Sequence, residues 1–181
     1  MFAANTPALG MSCSQFNQPN NSPQEIADLK TAIQSTAQST GVDARFVLAI
    51  VMQESVGCVR VWATTDPSGT ITNPGLMQSH NGQGTCNAAL AANGAVVKEG
   101  AATTPCPAAS VHQMIFDGVK GTAAGPGLSQ LLKGNDAQSY YKAARMYNSG
   151  SIPADGNLSG AGATASYASD VANKLLGGLP A

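Results

Sequence analysis

Phe46-Val-Leu-Ala-Ile-Val-Met-Gln-Glu-Ser55 is an apolar run that ends on an acid, in a chain of 181 residues with only three glutamates. On a helix, Val47, Ile50, Val51 and Glu54 recur at steps of three and four, which puts the acid on or beside the face due for burial. Burial disfavours the charged form of a carboxylate. The negative end of the helix dipole acts in the same direction, because Gly57 marks the helix C-terminus close by. Both effects raise the pKa of Glu54, as a general acid working near neutral pH requires. The plainer reading is a glutamate reaching solvent from the helix rim, and this segment alone supports the two equally.

Helix signals continue on both sides of this run. Ser22-Pro-Gln-Glu25 combines a serine cap, proline at the first position and a glutamate three residues after the cap. It opens a helix whose apolar stripe is Ile26, Leu29, Ile33 and Ala37, and Gly41 ends it. Asp43 caps the helix that carries Glu54. Residues 1–21 read as a polar N-terminal arm held by Cys13. Beyond Glu54 the character changes. Val59-Arg-Val-Trp-Ala-Thr-Thr65 has strand composition, Asp66-Pro-Ser-Gly69 is a turn pattern, and Thr70-Ile-Thr72 can pair back, which predicts a small hairpin. After a Gly/Ala/Asn-rich stretch at 86–109, Ser110-Val-His-Gln113 predicts a helix start by a capping box. Further helices are expected at about 126–133, 136–147 and 163–176, the last with Tyr167, Val171, Leu175, Ala168 and Ala172 on one face. There is no internal repeat and no linker long enough to separate domains. The expectation is one α+β domain over 1–181, mostly helical, with a small β-hairpin flanking a cleft.

Composition narrows the setting. Only 10% of the residues are charged, and the net charge is −1 with no basic cluster, which argues against nucleic acid as a partner. No apolar run approaches the roughly 20 residues of a membrane span. Four cysteines without a CxxC pair read as two disulfides rather than a metal site. Cys13–Cys58 and Cys86–Cys106 are the expected pairs, although four cysteines permit three pairings. The sequons Asn20-Asn-Ser22 and Asn157-Leu-Ser159 fit a secreted, extracellular protein.

Asp66 is the second chemical candidate. Preceding a proline, it favours extended backbone and a projecting carboxylate. An Asp-Pro-x-Gly aspartate is more often a turn former. An acid at a helix end followed by a hairpin bearing another, however, can set two carboxylates across a cleft, as glycoside hydrolysis requires. The surroundings differ in the needed direction, apolar at Glu54 and polar at Asp66. In Asn73-Pro-Gly-Leu-Met-Gln-Ser-His80, Leu76 and Met77 would hold the loop in the core while Gln78 and His80 face the cleft. Tyr147 and Asn148 precede the stop glycine Gly150, where Asn148 reads equally as a cap. Trp62, Tyr140 and Tyr141 could stack on sugars or belong to the core. His112 reads as structural.

Taken in order, Glu54-Ser55, Gly75-Leu-Met-Gln78, Tyr147-Asn-Ser-Gly150 and Tyr167 resemble the signature of the goose-type lysozyme and lytic transglycosylase superfamily, over about residues 42–176. Those transglycosylases use one catalytic glutamate, whereas this chain offers Asp66 as well. The Glu-to-Asp spacing in a small lysozyme-like chain resembles glycoside hydrolase family 134, which comprises secreted fungal and bacterial endo-β-1,4-mannanases. The resemblance implies a lysozyme-like fold, with Glu54 as general acid and Asp66 as general base of an inverting reaction. It further implies a mannan or mannooligosaccharide partner; a monomer with no cofactor or metal is also expected. The runner-up is a lysozyme or lytic transglycosylase that cuts peptidoglycan with Glu54 alone. The rival from another class is a non-catalytic carbohydrate-binding or effector protein.

Overall fold

The computed structural model describes residues 1–66, 68, 70–87, 102–160 and 164–176. Ser22-Pro-Gln-Glu25 closes a full capping box: Glu25 N donates to Ser22 Oγ at 3.2 Å and Ser22 N donates to Glu25 Oε2 at 2.7 Å. Helix α2 (Pro23–Thr40) follows, and Gly41 ends it in the left-handed region at φ 75°. Asp43 then caps α3 (Ala44–Glu54) by accepting from Arg45 N. Residues Phe46 to Met52 of α3 are all buried, so this helix is apolar on every side and forms the middle of the molecule.

The other helices surround it. They are α1 (Phe2–Leu9), α4 (Ala108–Lys120), α5 (Leu128–Leu131), α6 (Ala137–Ser149) and α7 (Tyr167–Leu175). Helix α2 packs on α4, while α7 packs on both α3 and α6. Phe46 of α3 meets Tyr140 of α6 edge to face at 4.9 Å, which assigns Tyr140 to the core. Strands β1 (Thr64–Thr65) and β2 (Thr72–Asn73) form an antiparallel pair, with Thr64 opposite Asn73 and Thr65 opposite Thr72. The fold is therefore a mostly helical α+β arrangement.

Three expectations are corrected. Residues 1–21 are not simply a polar arm: α1 and a 3-10 turn (Ser14–Phe16) lie there, and Leu9 is fully buried. The hairpin is shorter than its composition suggests, because Val59, Arg60, Val61 and Ala63 are buried without pairing as a strand. Its backbone groups are taken instead by side chains: Val59 N donates to Asn21 Oδ1, Asn87 Nδ2 to Arg60 O, and Gln78 Nε2 to Trp62 O. Helix α4 begins two residues before Ser110, behind Pro107, whose carbonyl accepts from Ser110 N and Val111 N. Pro67 and Gly69 of the expected turn lie outside the described residues, as do residues 88–101 of the Gly/Ala/Asn-rich stretch and 161–163 at the expected start of the last helix.

Both expected disulfides are present, Cys13–Cys58 and Cys86–Cys106. The first ties the N-terminal segment to the turn after Glu54. Arg60, fully buried, pairs with the capping Glu25 and also donates to Pro19 O and Asn20 O at 2.9 Å each. Burial pushes the Glu25 carboxyl up, but the bonds from Arg60, Ser22 and Cys106 N outweigh it and hold the pKa at about 2.

Candidate functional site

Glu54 is the last residue of α3, so the buried helix delivers its carboxyl to the molecular surface at a cleft. Two neighbouring segments fix that position. Ser55, fully buried, donates to Val51 O and to Leu76 O at 2.8 Å, which joins the helix end to the loop carrying Leu76, Met77 and Gln78. Gly57 follows at φ 76°, and a Cβ there would meet Leu9 Cδ2 of α1 at 2.2 Å. The loop itself turns at Gly75, φ 74°, where a Cβ would stand 2.6 Å from both Gly84 O and Met114 Cγ. Leu76 and Met77 are fully buried and anchor the loop, while Gln78 and His80 line the cleft.

The cleft has two lobes. One, about 300 Å³, is lined by Glu54, Thr64, Asn73, Gln78, Tyr147 and Asn148. The other, about 370 Å³, shares Asn73, Gln78, Tyr147 and Asn148 and continues past Asp66, Ser79, His80 and Asp117 to Thr122 and Gly125. The four shared residues form the waist between the two acids proposed for chemistry.

The acids stand in opposite environments. Glu54 is half-buried and desolvated by the protein around it, which pushes its carboxyl up to about 7. Tyr167, buried on α7, donates its hydroxyl to Glu54 Oε1, and this bond opposes some of that rise. Burial and the neighbouring Glu54 charge push the hydroxyls of Tyr167 and Tyr147 up in turn. Both tyrosines therefore act as hydrogen-bond donors across the ordinary pH range, Tyr147 to Met77 O at 2.8 Å. Asp66 is the reverse case. Its carboxylate accepts from the Ser68 hydroxyl and from Ile71 N at 2.7 Å, which holds its pKa below the ordinary value. At neutral pH one acid can keep a proton while the other is ionised.

The remaining expected residues are placed unevenly. Gln78, at φ 46°, accepts from Thr64 Oγ1 at 2.9 Å and donates to Trp62 O and Gly75 O, so its amide ties the hairpin to the loop while also facing the cleft. His80 lines the larger lobe, backed by Gly125 and clipped through its carbonyl by Thr122 Oγ1 at 2.6 Å. Asn148 lines both lobes and accepts from Thr164 N at 3.1 Å. Trp62 is absent from the lining of both lobes, and its indole donates to Phe16 O at 2.9 Å, which gives it a structural task. Tyr141 is exposed, and His112 stacks on Phe116 at the surface.

Asn73, Thr64 and Asp117 line the cleft without having been singled out from sequence. Asp117 carried the same signal that revealed Glu54, an acid inside an apolar helical run, here Met114-Ile-Phe-Asp-Gly-Val119. Its carboxylate accepts from Gln83 N at 2.6 Å, Gly84 N at 2.9 Å and Gln113 Nε2 at 2.6 Å. Among the described residues no group of three or more His, Cys, Asp or Glu is arranged to hold a metal ion. Comparison of the chain with protein-family models, curated proteins and solved structures returned no match.

Proposed function

We propose that the protein is a secreted, endo-acting glycoside hydrolase, an inverting β-1,4-mannanase with a lysozyme-like fold. In this reading Glu54 protonates the leaving oxygen, and Asp66 activates the water that attacks from the opposite face of the sugar. The observation that carries it is the split between two acids lining one cleft, Glu54 raised to about 7 and Asp66 held low. General acid catalysis needs a carboxyl still protonated near neutral pH, and general base catalysis needs one that is ionised there. At the waist the amide nitrogen of Asn148 and the remaining acceptor site of Gln78 Oε1 are available to sugar hydroxyls or to the water. The two disulfides suit an oxidising, extracellular compartment, and no helix among the described residues is long and apolar enough to cross a membrane.

The charge of the cleft supports a neutral substrate. With Glu54 protonated, Asp66 and Asp117 are the remaining acids among the described lining residues, and none is Lys or Arg. Such a field opposes an anionic glycan such as peptidoglycan and leaves an uncharged mannan unaffected. One observation favours the lysozyme or lytic transglycosylase reading instead: both Asp66 oxygens already accept bonds within the hairpin, which lowers its strength as a base. Incubation with mannan, chitin and peptidoglycan separates these readings by which polymer is cut and whether reducing sugar is released. Release from mannan alone is expected. Reducing sugar from peptidoglycan alone selects a lysozyme, soluble peptidoglycan fragments without new reducing ends select a lytic transglycosylase, and no cleavage of any polymer, with binding retained, selects a carbohydrate-binding protein.

A further inference from the structure

The sheet that carries Asp66 is only two residues long on each side. A ladder of that length does not hold itself in water. Its inner strand is tied to the molecule by Gln78, which accepts from Thr64 Oγ1. Its outer strand is tied by a residue outside the lining of both lobes. Asn81 Oδ1 accepts from Thr72 N at 2.8 Å, and Asn81 N donates to Thr72 O at 2.7 Å. One asparagine thus satisfies both backbone groups of the open edge, as a third strand would.

The post on which Asn81 stands is rigid. Asn81 adopts φ 49°, a left-handed conformation that asparagine tolerates better than most residues. The next residues are cemented to α4: Asp117 accepts from Gln83 N and Gly84 N, and a Cβ on Gly84 would meet Met114 N at 2.3 Å. From Asn81 the connection to the acid is short. Thr72 follows Ile71, whose N–H donates to Asp66 Oδ1 at 2.7 Å and whose carbonyl accepts from Asp66 N at 2.9 Å.

We propose that Asn81 is a positioning residue for the reaction, setting through Thr72 and Ile71 where the Asp66 carboxylate stands over the cleft. The proposal rests on the reading of Asp66 as the general base. Asn81→Gly keeps the backbone conformation and removes only the side-chain acceptor; Asn81→Asp keeps that acceptor. Misplacement of a reacting group by an ångström can cost about a hundredfold. For Asn81→Gly we expect kcat on a mannooligosaccharide to fall roughly ten- to a hundredfold with KM within about twofold. The amides of Asp66 and Thr72 should exchange hydrogen faster, and Asn81→Asp should restore both properties. A role confined to stability would lower the melting temperature and leave kcat at low temperature unchanged, which overturns the proposal. So does faster exchange with undiminished kcat, or no change in either. Asp66→Asn, measured alongside, separates the two ideas. If it is inactive while Asn81→Gly is fully active, only the positioning role fails. If it is active, the general-base reading fails and the positioning role falls with it.

Discussion

Replacing Glu54 by glutamine should make the protein more stable at neutral pH while removing its activity. Desolvation raises the Glu54 carboxyl from its ordinary 4.5 to about 7. The folded state therefore holds this proton more tightly than the unfolded chain does. The stability associated with it is fully present below pH 4.5, is lost as pH rises towards 7, and stays lost above that. At 1.36 kcal/mol per unit, a rise from 4.5 to about 7 corresponds to about 3 kcal/mol, an upper bound because the carboxyl is partly open to the cleft. Glutamine carries no such pH dependence, and its carbonyl still accepts from the Tyr167 hydroxyl. Thermal melts of both proteins from pH 4 to 8 should coincide at the acid end and diverge as pH rises. Above neutrality the variant should lead by up to about 2–4 °C for each kcal/mol. Turnover should fall roughly 10²–10⁴-fold, since the amide has no proton to donate. Parallel melting curves across the whole range would show that Glu54 is an ordinary solvated carboxylate, and the acid assignment would fail with it.

Other consequences follow from the same geometry. Asp66→Asn should be nearly inactive in an inverting mannanase and only mildly impaired in a single-glutamate enzyme, as steady-state rates on mannan and peptidoglycan will tell. Replacing Cys13 and Cys58 together by serine opens a loop whose ends are 45 residues apart, which costs about 4 kcal/mol in the chain-entropy model; urea unfolding measures the loss, and an unchanged midpoint counts against a structural clamp behind Glu54. Gly75→Ala places a methyl 2.6 Å from Gly84 O at a left-handed φ, so it should destabilise the loop by more than about 1 kcal/mol. Proton NMR of freshly released sugar should show the α-anomer first from a β-linked substrate, and initial β-anomer would make Asp66 a nucleophile or a bystander.

Where a structural signal is local, the sequence carried it. The serine, proline and glutamate that open α2 lie within four residues, and all the bonds they imply are formed. The acid at the end of the α3 apolar run was equally legible, since a helical period alone puts it beside the core. Long-range arrangements were not. Helix α1 has no strong apolar stripe; it is held by Leu9 lying over Gly57, by Asn21 donating to Leu9 O and Gly57 O, and by the disulfide to Cys58. The β-rich composition of Val59–Ala63 reports burial rather than pairing, because Asn21, Asn87 and Gln78 take up its backbone groups. Asn73 and Asn81 belong to no local motif: one gains its place from the waist of the cleft, the other from bonds to Thr72 across nine residues. For Trp62 the residue type leaves sugar stacking and core equally open, and only the fold shows the indole N–H donating to Phe16 O.

The dependence of kcat/KM on pH, measured with a mannooligosaccharide, tests the paired-acid account most directly. Glu54 must be protonated to act, so activity should fall as pH rises through about 7. Asp66 must be ionised, so the acid limb should lie below the ordinary aspartate value of 3.8. A broad plateau between those limbs, with the alkaline limb absent in Glu54→Gln, is the predicted result. An alkaline limb near 4.5 in the wild-type protein would mean that Glu54 is not the raised acid on which the proposed mechanism depends.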